Sequence, residues 1–384
     1  MNILLLTDSD VFAGTERHML DLAQALHQLG RSVMIACPEE GVLAERARSA
    51  GLDVFGVKKA RGIGLVNIPL LAREVRECRV DVIHAHNGRT ALWGALATWI
   101  GGRGKLLATQ HFLDPARTGR SRWRKWISQR VHHWIGSRAA RVVAISEAVR
   151  NSILARQEVD ARKVQVVLNG IAAPELPASH SQASVRESLK VTEGVPLIVC
   201  CARLETEKQV GVLVSAMQAV AKEIPNVRCV VAGEGRLKLE LEGQIAGLGL
   251  GHVVTLLGFR SDALEIVAAG DLFVLPSLAE PFGLSLVEAM ALGKPVIATQ
   301  AGGPLEIVAP EETGLLVAPR DAVQLSAAIL RILKDRALAQ RMGRSGRERF
   351  LNHFTSARMA REIDAIYQCI QRGETAQRAL VPTF

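Results

Sequence analysis

The sequence predicts an α/β fold in which two doubly wound, Rossmann-like domains face a cleft. Three observations carry this expectation. The chain has 384 residues, more than one ordinary hydrophobic core takes. Short runs rich in Val, Leu, Ile and Ala alternate with amphipathic stretches, the order that builds parallel sheets through right-handed crossovers. A Pro-, Ala- and Ser-rich lapse, AAPELPASHSQAS, begins at about residue 172 and divides that alternation in two.

NILLLT reads as the first strand, and the helix TERHMLDLAQALHQLG follows it and stops at Gly30. SVMIAC, LDVFGV, DVIHAH, KLLATQH, RVVAISE and VQVVLNG are further strands with helical stretches between them. After the lapse the pattern resumes with PLIVCCAR, VRCVVAGEG, HVVTLLGF, DLFVLPS, KPVIAT and TGLLVAP. The expected domains are 1–175 and 176–355. The helix SARMAREIDAIYQCIQRG follows a break at NHFT, and residues 356–384 are expected to cross back to the N-terminal domain.

With 48% apolar and 22% charged residues the composition is globular and excludes a disordered chain. Six cysteines show no C-x-x-C spacing and read as small core residues in a reducing compartment. MNILLLTDSD lacks a basic n-region, and ALWGALATWI is too short to span a bilayer, so a cytoplasmic protein is expected. The net charge of +9 is uneven: no acidic residue lies between Asp114 and Glu147, where Arg117, Arg120, Arg122, Arg124, Lys125, Arg130, Arg138 and Arg141 fall. Such a surface calls for an anionic partner. Trp123, Ile127, Val131 and Trp134 recur at helical spacing there, beside Trp126. A basic helix of this kind can lie on a membrane, or its Trp face can pack on the sheet.

The suspicious motifs all follow strands, where an open α/β sheet places its ligand. FAGTE offers Gly14 at a helix start, as a phosphate loop or as plain loop chemistry. ARLETEK offers Arg203 and Lys208, either clamping phosphate oxygens or pairing with Glu205 and Glu207 on a solvated loop. VAGEG supplies Gly233 for close backbone approach. In AEPFGLSLVEA, Ser285 and Glu288 fit a capping box, whereas Glu280 and the Pro-Phe-Gly turn do not need one. His84 and His86 alternate on one strand as half a metal site that no Cys or carboxylate cluster completes. His111 ends KLLATQH and is expected to point into the cleft.

ARLETEK, VAGEG, LLGF and PSLAEPFGLSLVEAMALGKPVIAT followed by GGPLEIV together resemble the donor half of glycosyltransferase family 4. These are retaining enzymes of GT-B fold, also called glycosyl transferases group 1. The spacing of Glu280 and Glu288 resembles the family's E-x7-E motif, and Gly14 with Glu16 its G-G-x-E loop. The resemblance implies that Arg203 and Lys208 hold the diphosphate of a nucleotide-sugar, UDP-linked before GDP-linked. It implies Glu280 on the sugar hydroxyls, Glu288 on the ribose and the backbone of Gly283 and Leu284 on sugar or distal phosphate. Phe259 would receive the base, Gly14 would line the phosphate, and His111 would stand near the donor sugar. It implies a glycan or lipid-linked acceptor, no cofactor, no metal and no nucleic acid.

This sequence departs from the family pattern at Ala13, Ala202 and Gln209, where glycine is usual. Each adds a Cβ near the expected phosphates and removes no charged side chain. Two other readings stand beside the transferase. One is an epimerase or hydrolase of the same fold acting without an acceptor. The other is a non-catalytic binder of nucleic acid or membrane through Arg120, Arg122, Trp123, Arg124, Lys125 and Trp126.

Overall fold

The computed structural model describes residues 1–59, 62–113, 122–176 and 181–374, and for Arg122, Arg124 and Lys125 only the backbone. Two compact units emerge. Met1–Ala172 and the described segment from Thr355 form one, and Ala173–Phe354 forms the other. The boundary thus falls at Ala172, short of the expected 175. Part of the expected linker is helical: Gln182–Ser188 opens on Ser181, whose side chain accepts a hydrogen bond from Ser184 N–H.

The first sheet holds β1 (Asn2–Leu6), β2 (Ser32–Pro38), β3 (Asp53–Val57), β4 (Val82–Ala85), β5 (Lys105–Gln110), β6 (Ala139–Ala144) and β7 (Val164–Val166). The second holds β8 (Leu197–Cys201), β9 (Arg228–Ala232), β10 (Val254–Gly258), β11 (Leu272–Leu275), β12 (Val296–Thr299) and β13 (Gly314–Val317). Every strand pair is parallel, and the orders are β3-β2-β1-β4-β5-β6-β7 and β10-β9-β8-β11-β12-β13. Both are doubly wound, and the chain reverses direction across the sheet between β1 and β4 and between β8 and β11. Crevices outside the strand ends at such switch points are where this architecture holds ligands.

The central strands are apolar throughout because helices cover both of their faces. All of β11 and β12 is buried, and so is all of β4. The strands end earlier than their apolar runs suggest. β4 stops at Ala85 and β5 at Gln110, so His86 and His111 lie just past the strands. His86 N–H still donates to Leu6 O at 3.1 Å, which carries the β1 pairing one residue further.

The helix Ser356–Arg372 belongs to the first unit. Thr355 caps it by accepting from Arg358 N–H, and Gly373 ends it with φ +69°, a conformation that favours glycine. Met359, Ala360, Ile363, Ile366, Tyr367 and Ile370 recur on one face and join the core containing Ile3, Leu5 and Leu22. Each large apolar side chain so buried contributes about 1.5–3 kcal/mol. Arg31 Nε and Nη2 donate to the two oxygens of Asp364 at 2.6 and 2.7 Å, a bidentate clamp between the first unit's opening residues and this helix.

Cys37, Cys200 and Cys229 are buried as expected. Cys78 is not: it is exposed at a helix end, and its Sγ–H donates to Glu74 at 2.8 Å. No helix among the described residues is long and apolar enough to cross a membrane.

Candidate active site

The switch point of the second sheet gathers two loops. One follows β8 and carries Arg203 and Lys208; the other follows β11 and carries Glu280. They are joined by backbone, since Leu278 N–H donates to Glu207 O at 2.8 Å. Lys208 Nζ reaches across and donates to Glu280 Oε2 at 2.6 Å, with the side chains 16% and 9% exposed. Ser277 Oγ–H donates to the same oxygen at 3.0 Å. Thr299 Oγ1–H holds the Ser277 carbonyl. The turn itself is stitched to the loop after β12, where Gly303 N–H donates to Glu280 O at 2.9 Å.

Glycine is required at that stitch. A Cβ on Gly302 would stand 2.1 Å from Glu280 O, and one on Gly303 would stand 2.3 Å from Phe282 Cα. The sequence motif GGPLEIV therefore shapes the Glu280 turn. Ser277, Thr299, Gly302 and Gly303 were not among the residues singled out from the sequence.

The helix Leu284–Ala291 begins on Gly283, which has φ +114°. Ser285 is thus the second helical residue and not the cap, so the expected Ser285–Glu288 capping box does not form. The positive φ at Gly283 lets the turn enter the helix there, so the start lies two residues earlier than capping by Ser285 requires. Leu284 and Ser285 present first-turn N–H groups, which favour negative charge. Glu288 lies on the partly buried face of this helix. Burial pushes the Cys201 thiol well up, and neighbouring Cys200 and the Glu288 carboxylate add to it, placing Glu288 by the end of β8.

Arg203 is 65% exposed and its Nη2 donates to Glu207 at 2.8 Å. Half of the solvated-loop reading is therefore realised, for Arg203 but not for Lys208. Gly233, with φ +146°, donates to Gly258 O at 2.8 Å. A Cβ there would meet Ala202 O at 2.0 Å, so its close approach is to the Arg203 loop. Phe259 is 74% exposed, and its N–H points to Glu234 Oε1 at 3.4 Å. Of the three departures from the family pattern, only Gln209 occupies a strained position, with φ +51°. Its Nε2–H donates to Thr206 O at 2.7 Å. Ala13 has extended backbone that any residue adopts.

In the first unit, Gly14 is the first residue of the helix Gly14–Gln28 and is exposed. Glu16 caps that helix: its Oε2 accepts from Ala13 N–H at 3.1 Å. His111 lies in a buried cluster instead of at an open surface. His86 Nδ1 and His111 Nε2 are 3.0 Å apart and share a hydrogen bond. The His18 ring stands edge-on to His111, with centroids 4.7 Å apart, and His84 lies 4.3 Å from His86. His84 Nδ1 bonds with Tyr367 Oη and its Nε2 with Thr109 Oγ1, both at 2.6 Å. Burial holds His84, His86 and His111 neutral, well below the usual range, and neighbouring rings add to the shift. His18 is pushed down to about 4 by burial, which nearby Asn169 offsets only in part.

On the basic helix Arg122–Arg138, Trp123 and Trp126 stack with centroids 5.3 Å apart and are 66% and 48% exposed. Arg130 lies over the Trp126 ring at 5.0 Å. The expected apolar face does not pack as a unit, for Ile127 is exposed and Ile135 is the buried anchor. Arg120 lies outside the described residues, as do the side chains of Arg122, Arg124 and Lys125.

Two parallel sheets of this order, each with its ligand-side loops at the strand ends, define the GT-B class of fold. The chain belongs to the glycosyl transferases group 1 family, whose pattern matches residues 181–349, while residues 12–173 match glycosyltransferase family 4. It is a glycosyltransferase. It is 31% identical over 309 residues to alpha-maltose-1-phosphate synthase of Mycobacterium tuberculosis, covering 75% of this chain and 78% of that protein. It is 27% identical over 404 residues to glycogen synthase of the same organism, covering 97% and 95%. Among solved structures, Anabaena HepE in complex with UDP superposes with TM-score 0.83 at 23% identity, covering 96% of this chain and all of that one.

Proposed function

We propose that the chain transfers a hexose-type sugar from a nucleotide diphosphate sugar, UDP-linked before GDP-linked, to a hydroxyl of a glycan or lipid-linked acceptor. The transfer retains anomeric configuration and needs no catalytic metal. The buried Lys208–Glu280 pair at the β8/β11 switch point carries this reading. It sets a cation for phosphate oxygens beside a carboxylate for hydroxyls, with a helix N-terminus next to both. A similar chain, HepE, is described in complex with UDP.

In this reading the bond from the anomeric carbon to the diphosphate oxygen breaks, and the electron pair leaves with the phosphate. The acceptor hydroxyl attacks from the same face and gives its proton to that phosphate. Lys208, and Arg203 once released from Glu207, stabilise the charge growing on the leaving group. Glu280 holds sugar hydroxyls, Glu288 the ribose, and Gly283 and Leu284 the sugar or distal phosphate. Gly233 and Phe259 flank the nucleotide.

A thermal-shift series with UDP-, GDP- and ADP-sugars tests the donor, since a true donor raises the melting point with occupancy. Arg203→Ala and Lys208→Ala are each expected to lower kcat roughly a hundredfold. Near-normal turnover in both would remove the assignment.

The exposed Trp123–Trp126 stack on a basic helix favours a second element, peripheral attachment to an anionic leaflet on the cytoplasmic side in polysaccharide or glycolipid assembly. Sedimentation with vesicles of phosphatidylglycerol tests it. Trp123→Ala/Trp126→Ala should lower the bound fraction several-fold, and unchanged binding would rule the attachment out.

A further inference from the structure

The buried histidine cluster of the first unit carries more than the donor reading uses. One ring nitrogen from each of His18, His86 and His111 lies within 4.8 Å of the other two. These rings are 2%, 0% and 6% exposed. They come from the helix after β1 and from the residues that follow β4 and β5, so the switch point of the first sheet assembles them.

Simple packing of neutral imidazoles leaves a debt here. Both ring nitrogens of His18 and Nε2 of His86 have no hydrogen-bond partner, and neither has the buried Oδ1 of Asn169. A buried polar atom left unpaired typically costs about 1–3 kcal/mol. A cation on one His18 nitrogen would settle three of these atoms, since the other His18 N–H could then face Asn169 Oδ1.

We propose that His18, His86 and His111 form a three-imidazole site for a late first-row divalent cation, Zn²⁺ above all. Tetrahedral Zn²⁺ with Zn–N near 2.0–2.1 Å requires nitrogens about 3.4 Å apart. The set already brackets that spacing, with His86 Nδ1 and His111 Nε2 at 3.0 Å and no pair of its ligand atoms beyond 4.8 Å. In the metal-bound site Asn169 Oδ1 would accept from the other N–H of His18, the outer-shell bond that fixes a ligating imidazole's tautomer. The His84 ring lies tilted against His86, with centroids 4.3 Å apart, and is itself locked by Tyr367 and Thr109. The donors are imidazoles alone, which excludes Mg²⁺ and Ca²⁺. Three protein ligands leave a fourth position for water.

Chelator-stripped full-length chain titrated with Co²⁺ tests the site. A visible absorption band of four-coordinate Co²⁺ should saturate at about one equivalent and be displaced by Zn²⁺. His18→Gln and His86→Gln should each weaken the band's midpoint by at least tenfold, on the order of lost metal-ligand support. As a check on the unaltered chain, Zn²⁺ should raise the melting point with concentration while Mg²⁺ does not. Neither band nor shift in the unaltered chain overturns the site, and so does a band unchanged in both variants. Sugar transfer by a chain that never binds Co²⁺ sinks the metal site alone. Co²⁺ binding by a chain that never transfers sugar sinks the donor reading alone.

Discussion

Lys208 and Glu280, separated by 72 positions in the chain, form a largely buried ion pair at 2.6 Å across the switch point of the second sheet. Each holds the other in place before any ligand arrives. A diphosphate that draws Lys208 away, and a sugar whose hydroxyls replace the ammonium on Glu280, would exchange one set of charge-assisted bonds for another.

Breaking the pair on one side should be costly. Lys208→Met leaves a carboxylate buried with Ser277 as its one remaining side-chain partner among the described residues, and about 3 kcal/mol of stability should be lost. Lys208→Met/Glu280→Gln should recover much of that loss while remaining inactive. Urea denaturation of the four chains of the cycle measures it, and additive losses would deny the coupling.

Gly303→Ala probes the turn from behind. Its Cβ would lie 2.3 Å from Phe282 Cα, so backbone must move. A loss of roughly 1–3 kcal/mol is expected, with weakened donor binding because Glu280 shifts. Isothermal titration with UDP reads the binding, and an unaffected Kd would show that the stitch does not set the turn.

Tyr367→Phe deletes one of two partners of His84. The freed Nδ1 is fully buried, and roughly 1–3 kcal/mol should vanish from the melting transition. Thr109→Val removes the opposite partner and should act alike. If both variants melt as the parent does, water has replaced the bonds.

The histidine cluster also sets a pH dependence in metal-free protein. His18 titrates near 4 when folded against 6.5 as a free side chain. Between these values the unfolded chain takes up the proton and the folded chain does not. Stability is therefore full above about 6.5 and is lost as pH falls toward 4, on the order of 3 kcal/mol for His18 alone. Urea midpoints at pH 7.0 and 5.0, measured with chelator present, check the sign; equal midpoints would contradict it.

The strands of the described residues were legible, and most plainly the central ones, because strands buried on both faces read as unbroken apolar runs. Their carboxyl ends were not. In VIHAH and LLATQH the apolar and polar residues continue the alternation past Ala85 and Gln110, where the strands end, so His86 and His111 looked like strand residues. Local reading also supplied the wrong partner for Lys208: Glu205 and Glu207 lie beside it in sequence, and a contact 72 positions away leaves no trace there. For Glu288, Ser285 suggested a cap, yet glycine's positive φ decided where the helix began. The signal for His18 was present but unread. It shares a helical stripe with the buried Leu22, four residues on, where a lone imidazole is out of place.

The return of Ser356–Arg372 to the first unit reverses the usual order of events on the ribosome. The opening strands cannot complete their core, nor Arg31 find Asp364, until the last helix has been synthesised. The segment Ala173–Phe354 has its own sheet and emerges whole before that. The donor half is therefore expected to mature first during translation, while the amino-terminal half waits, unfinished and in need of protection from aggregation, for its closing piece.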